Sequence, residues 1–139
     1  MERRRVLVID NEDDARRLCE ELLTGEGYEV YSATDTSSGL EMVKNLKPDM
    51  VIMDLHLPEI NGIEGLRRIK NMKEEILTVL VTGRGTMDTV KEAMRHGAYD
   101  YITKPFDIEL VKEVINEGLK MDPITNCLKK PAKQNRQMR

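Results

Sequence analysis

Five strand-length apolar runs alternate with five helical patterns along this chain, and that rhythm leaves few folds open. Val6-Leu7-Val8-Ile9 reads as a buried strand. A helix follows from about Glu12 to Thr24, with Ala15, Leu18, Cys19, Leu22 and Leu23 spaced to share one face. Gly25 and Gly27 stop it. Tyr28 to Ala33 alternates as a second strand, and a helix from about Ser37 to Leu46 ends before Pro48. Met50 to Met53, Ile76 to Val81 and Tyr99 to Thr103 complete the strands. Between and after them lie helices over Gly62 to Met72 (Leu66 and Ile69 inward), about Met87 to Arg95, and about Ile108 to Leu119. Strictly alternating strands and helices require parallel strands joined by right-handed crossovers, with helices on both faces. Val-, Ile- and Met-rich strands suit a sheet covered on both sides. Five strands cannot close an eight-stranded barrel, so an open, doubly wound (βα)5 α/β sheet is expected.

At 139 residues the chain has room for one domain and little else. The four-residue apolar runs are far too short to cross a bilayer. Met1-Glu2-Arg3-Arg4-Arg5 has the charge of a signal peptide's first region, but the apolar stretch after it ends at Asp10, so a cytoplasmic location is expected. Cys19 and Cys127 are the only cysteines, too few and too separated for a disulfide scaffold or a thiolate zinc site. Cys19 reads as a small buried hydrophobe. With 4% aromatic residues and no Trp, a base-stacking surface for single-stranded nucleic acid is not expected. Residues 1–120 hold 24 acids against 17 bases, a net of −7. Residues 121–139 hold one acid and five bases, a net of +4, and carry Pro123 and Pro131. The boundary divides a domain over 1–120 from a basic tail or linker start over 121–139.

The residues that follow the strands carry the chemistry. Asp10, Asp54, Thr82 and Lys104 each sit at a strand's carboxyl end, where open α/β sheets bind ligands. Two carboxylates, a hydroxyl and an ammonium gathered there suit a hard cation and a phosphoryl group. A plainer reading of Asp10-Asn11-Glu12-Asp13-Asp14 is a capped helix start with acids in its first turn; the two readings are compatible. Tyr101 could be simple core, and His96 a side chain at a helix C-terminus.

The segments Val8-Ile9-Asp10-Asn11-Glu12, Asp54-Leu55-His56-Leu57-Pro58-Glu59-Ile60-Asn61-Gly62, Val81-Thr82-Gly83 and Lys104-Pro105-Phe106 occur in order and at suitable spacing. Together they resemble the receiver domain of bacterial two-component response regulators, over roughly residues 5–120. Gly85 to Phe106 resembles, more narrowly, the receivers of nitrogen-regulator-type transcription activators. The resemblance implies a flavodoxin-like three-layer sandwich with strand order 2-1-3-4-5. It implies that Asp54 takes a phosphoryl group from a sensor histidine kinase or phosphotransfer protein, with Thr82 and Lys104 binding phosphoryl oxygens. It further implies Mg²⁺ (or Mn²⁺) held by Asp10, Asn11, Asp54 and the backbone carbonyl of His56, a switch through Thr82 and Tyr101, and a cis peptide before Pro105. The signal would pass through the face of the fourth helix, fifth strand and fifth helix to a protein target, an effector domain or a second copy. Such a domain catalyses only its own phosphorylation and dephosphorylation, and binds neither membrane nor nucleic acid directly.

One departure stands out. Receivers usually carry two adjacent acids after the first strand, and here the second is Asn11. An amide oxygen still coordinates, but one formal charge is lost, so weaker Mg²⁺ binding is expected unless Glu12 or Asp13 helps. His56 and Arg84 correspond to positions flanking the attacking water, and their bulk predicts slow loss of the phosphoryl group. Among competing functions, a haloacid-dehalogenase-like phosphatase would want Asp where His56 stands. A flavin-binding module would be repelled by the acidic first loop. A degenerate receiver, used only as a protein-interaction module, is favoured by Asn11 alone.

Overall fold

The computed structural model describes residues 3–83, 87–105 and 107–120. Ten elements alternate without exception: β1 (Arg5–Ile9), α1 (Asp13–Gly25), β2 (Glu29–Ala33), α2 (Thr36–Leu46), β3 (Met50–Asp54), α3 (Gly62–Met72), β4 (Leu77–Thr82), α4 (Met87–Arg95), β5 (Asp100–Thr103) and α5 (Ile108–Lys120). All strand pairs are parallel, in the order β2-β1-β3-β4-β5, the flavodoxin-like order expected. The basic tail lies outside the described residues.

The two-residue period of the strands sorts their side chains into two cores. Leu7, Ile9, Val51, Met53, Leu80 and Tyr101 face one way, onto Leu40 and Val43 of α2, Leu66 and Ile69 of α3, and Ala93 of α4. Val6, Val8, Met50, Ile52, Val79, Val81 and Ile102 face the other way, onto Cys19 and Leu23 of α1 and Val111, Val114, Ile115 and Leu119 of α5. The sheet is therefore the middle layer of three. No helix among the described residues is long and apolar enough to cross a membrane.

Details of α1 depart from the sequence pattern. Leu18, expected on the inward face, is 37% exposed, because Cys19, Leu22 and Leu23 already fill the contact with the sheet. The helix start is not capped by a side chain: Glu12 occupies the cap position without such a bond, while its backbone N–H donates to the Asp10 carboxylate at 2.9 Å. Asp13 and Asp14 do fall in the first turn, where the helix dipole favours acids. The helix also runs through Gly25, leaving Gly27, at φ 95°, to make the left-handed turn. Cys19 is buried as expected, and burial, reinforced by the charge of Asp10, pushes its thiol up to about 11.

Gly62 opens α3 against the end of β3. A Cβ there would lie 2.7 Å from the Leu55 Cα and 3.0 Å from the Asp54 carbonyl oxygen, both backbone atoms that cannot swing aside. Gly62→Ala is expected to destabilise the fold by about 2 kcal/mol, as overpacking of a rigid site does, and to lower the urea midpoint accordingly. An unchanged midpoint would show that the loop yields freely.

Candidate functional site

Parallel strands in this order place the carboxyl ends of β1, β3, β4 and β5 along one edge of the sheet, and the polar residues expected there converge. Asp10 follows β1, Asp54 ends β3 and Thr82 ends β4; these three are 4%, 7% and 2% exposed. Lys104 follows β5, its backbone N–H donating to the Thr82 carbonyl at 2.9 Å. Its ammonium reaches across to Asp10 Oδ2 and Asp54 Oδ2, both at 3.1 Å, and to Glu12 Oε1 at 2.6 Å. The peptide between Lys104 and Pro105 is cis, as the motif implied.

The acids are Asp10, Glu12 and Asp54, with one carboxylate oxygen of each lying within 4.8 Å of the others. Three hard oxygen donors so close suit Mg²⁺ or Mn²⁺. Asn11, expected to supply a ligand, and Glu12 beside it are both exposed, and the Glu12 carboxylate adds a third charge to the cluster. The reason is local. Asp10 accepts from the Glu12 N–H, folding the chain back so that residue 12 returns toward the sheet edge. Arg16 braces the same turn from outside, donating to the Asp10 carbonyl at 2.8 Å and pairing with Asp13.

Desolvation alone would lower the Lys104 ammonium. Hydrogen bonds to Glu12, Asp10 and Asp54 overturn that effect and hold it well above the ordinary lysine value. Because the folded value is the higher one, the pairing is fully present below the ordinary lysine range and is lost only as pH climbs through the raised value. Lys104 therefore stays charged throughout the neutral range.

The Asp54 carboxylate is oriented by its own loop: Oδ1 accepts from the His56 N–H at 2.9 Å, and Oδ2 from Lys104. The His56 side chain is exposed, and the residue lines a groove of about 400 Å³ between α3 and α4, together with Leu55, Ile63, Glu92 and His96. This groove lies beside the acidic cluster and does not include it. Arg84 and Phe106 fall outside the described residues. Tyr101, expected to take part in the switch, is 6% exposed and packed with the α2–α3–α4 core. Thr36 is a feature that sequence reasoning missed: a buried threonine beginning α2, whose hydroxyl donates to the Ile60 carbonyl at 2.8 Å. Its only sequence signal was a hydroxyl residue at a helix start, which reads as a cap.

A parallel five-stranded sheet with an acidic trio and a lysine at its carboxyl edge defines an open α/β domain with a polar site at its strand ends. Comparison with known proteins narrows that class. The sequence model of the response regulator receiver domain matches residues 6–116. Chemotaxis protein CheY of Thermotoga maritima is 36% identical over 82% of this chain and 96% of its own length. Regulatory protein AtoC of Escherichia coli is 31% identical over 84% of this chain but only 25% of its own, so the chain spans a quarter of that relative. Among solved structures, the beryllofluoride-activated NtrC4 receiver domain dimer superposes with a TM-score of 0.80 at 28% identity, covering 84% of this chain and 96% of that one. The chain belongs to the response regulator receiver family, and is a receiver domain of two-component signalling.

Proposed function

We propose that Asp54 is the phosphoacceptor, taking its phosphoryl group from a phosphohistidine on a sensor histidine kinase or phosphotransfer protein. The observation that carries this reading is the convergence of Lys104 with Asp10, Glu12 and Asp54 at one edge of the sheet. An Asp54 oxygen attacks phosphorus, the P–N bond to the donor imidazole breaks, and the imidazole leaves with the electron pair. Asp10, Glu12 and Asp54 would hold Mg²⁺ or Mn²⁺, with Asn11 and the His56 carbonyl beside them. Bound there, the ion offsets the charge of the incoming group and helps align it for in-line transfer. Lys104 exchanges one of its carboxylate partners for a phosphoryl oxygen, and the Thr82 hydroxyl takes another. The His56 N–H keeps Asp54 aimed throughout. The domain turns over no external substrate.

Residues 1–120 form the receiver in this reading, and 121–139 a basic tail or the start of a linker. Output passes through α4, β5 and α5, with Thr82 and Tyr101 as the switch, to a downstream protein, an effector domain or a second copy. The dimer described for the NtrC4 receiver supports the last of these.

Intact mass after incubation with acetyl phosphate tests the reading. One phosphoryl addition that requires Mg²⁺ is expected; no addition from acetyl phosphate or from a phosphohistidine donor would leave the domain as an interaction module. Asn11→Asp restores the formal charge that the first loop lacks, and is expected to tighten Mg²⁺ binding by on the order of tenfold. Calorimetric titration of both proteins checks this, and equal affinities would mean that Glu12 already makes good the loss.

A further inference from the structure

The segment from Leu55 to Asn61, between Asp54 and α3, carries the groups that aim the acceptor carboxylate, yet it has a conformation that its own sequence does not favour. Glu59 sits at φ 66°, in the left-handed region where a residue with a Cβ is strained. Such a residue persists only where its surroundings over-determine the backbone. Three ties lie within the segment or at its ends: the Ile60 N–H donates to the Pro58 carbonyl at 2.8 Å, the Gly62 N–H to the Leu55 carbonyl at 2.8 Å, and Asn61 accepts from Glu64 as the cap of α3. A further tie comes from a different element. Thr36, at the start of α2 and 1% exposed, donates its hydroxyl to the Ile60 carbonyl. That hydroxyl is spared from capping its own helix, because Asp35 does so by accepting from the Ser38 N–H at 2.8 Å. Its methyl lies 3.1 Å from where a Cβ on Gly65 of α3 would stand, so the side chain sits between the two helices and leaves no room for a larger residue at Gly65.

We infer that Thr36 is a positioning residue for the phosphoacceptor. It anchors the loop from α2, and through the loop it fixes the His56 N–H that orients Asp54. The inference rests on the reading of Asp54 as the acceptor, and its effect is on the geometry of that carboxylate, not on the reacting atoms. A buried hydroxyl with one acceptor is specific enough to be tested by near-isosteric change. Thr36→Val keeps the volume and loses the donor; Thr36→Ser keeps the donor and loses the methyl.

Amide hydrogen exchange, followed in the full chain without metal, reads the loop directly. In Thr36→Val the amides from His56 to Gly62 are expected to exchange about tenfold faster, in keeping with the loss of one buried hydrogen bond, while those of Val51 and Leu80 in the central strands keep the wild-type rate. At limiting Mg²⁺ the same variant takes up phosphoryl from acetyl phosphate about fivefold more slowly, and Thr36→Ser restores both values toward wild type. Unchanged loop exchange in Thr36→Val, or faster exchange by an equal factor in loop and core, overturns the inference. So does a loop that loosens with no change in uptake by an otherwise active protein. Should wild type itself take up no phosphoryl group, the reading of Asp54 fails on that result and takes the positioning role with it.

Discussion

Asp54→Asn is expected to abolish phosphoryl uptake and, in metal-free buffer, to make the protein more stable than wild type by about 1 kcal/mol. The first effect follows from removing the proposed nucleophile. The second follows from counting charges: three carboxylates with oxygens within 4.8 Å of one another share, among the described residues, a single ammonium, that of Lys104. Asp54 is 7% exposed, so water does little to screen it from its neighbours. Asparagine keeps the shape and can still accept from the His56 N–H while giving up the charge. Urea unfolding in EDTA and then in Mg²⁺ separates the two contributions. Saturating metal at ten times its dissociation constant stabilises wild type by about 1.4 kcal/mol, and the variant gains much less. A variant less stable than wild type in EDTA would mean that the Lys104 pairing outweighs the repulsion, and that the acidic cluster is not a strained site awaiting a cation.

Much of this was legible in the sequence, and what was not has a common cause. The strands announce themselves because Val6 to Ile9 and Met50 to Met53 are apolar at every position, as only a doubly covered sheet demands. Once the strands are placed, Asp10, Asp54, Thr82 and Lys104 must fall at one edge, since parallel order puts every carboxyl end on the same side. What the pattern cannot carry is the choice among neighbouring polar residues. Asn11 and Glu12 are adjacent, and the approach of Glu12 to Lys104 goes with a bond from the Glu12 N–H back to Asp10. Leu18 fits the helical period as well as Leu22 does, but the width of the sheet contact leaves it at the margin. Thr36 looks like a cap until the loop from another part of the chain arrives above it. Tyr101 is placed inward by strand alternation, and its burial against α2, α3 and α4 is a property of the packed domain alone.

Lys104→Met moves the same electrostatic balance in the opposite direction. The stem of the lysine is retained in volume, but three carboxylates lose their internal counter-ion, two of them on residues less than 10% exposed. Removing one partner from such a group leaves uncompensated charge, and a loss of about 2–3 kcal/mol in EDTA is expected after allowance for the exposed Glu12. The ammonium also competes with any cation for the same oxygens: it sits 3.1 Å from Asp10 Oδ2 and Asp54 Oδ2. Without it, Mg²⁺ should bind tighter by on the order of tenfold, so that added metal recovers more stability in the variant than in wild type. Phosphoryl uptake should nonetheless fall, because the group proposed to take over a phosphoryl oxygen is gone. Affinity and activity then move in opposite directions, which a general loosening of the site cannot produce. Calorimetry with Mg²⁺ and intact mass after acetyl phosphate, run on one preparation, decide the matter: weaker metal binding together with slower uptake would mean that Lys104 organises the acidic cluster and does not compete within it.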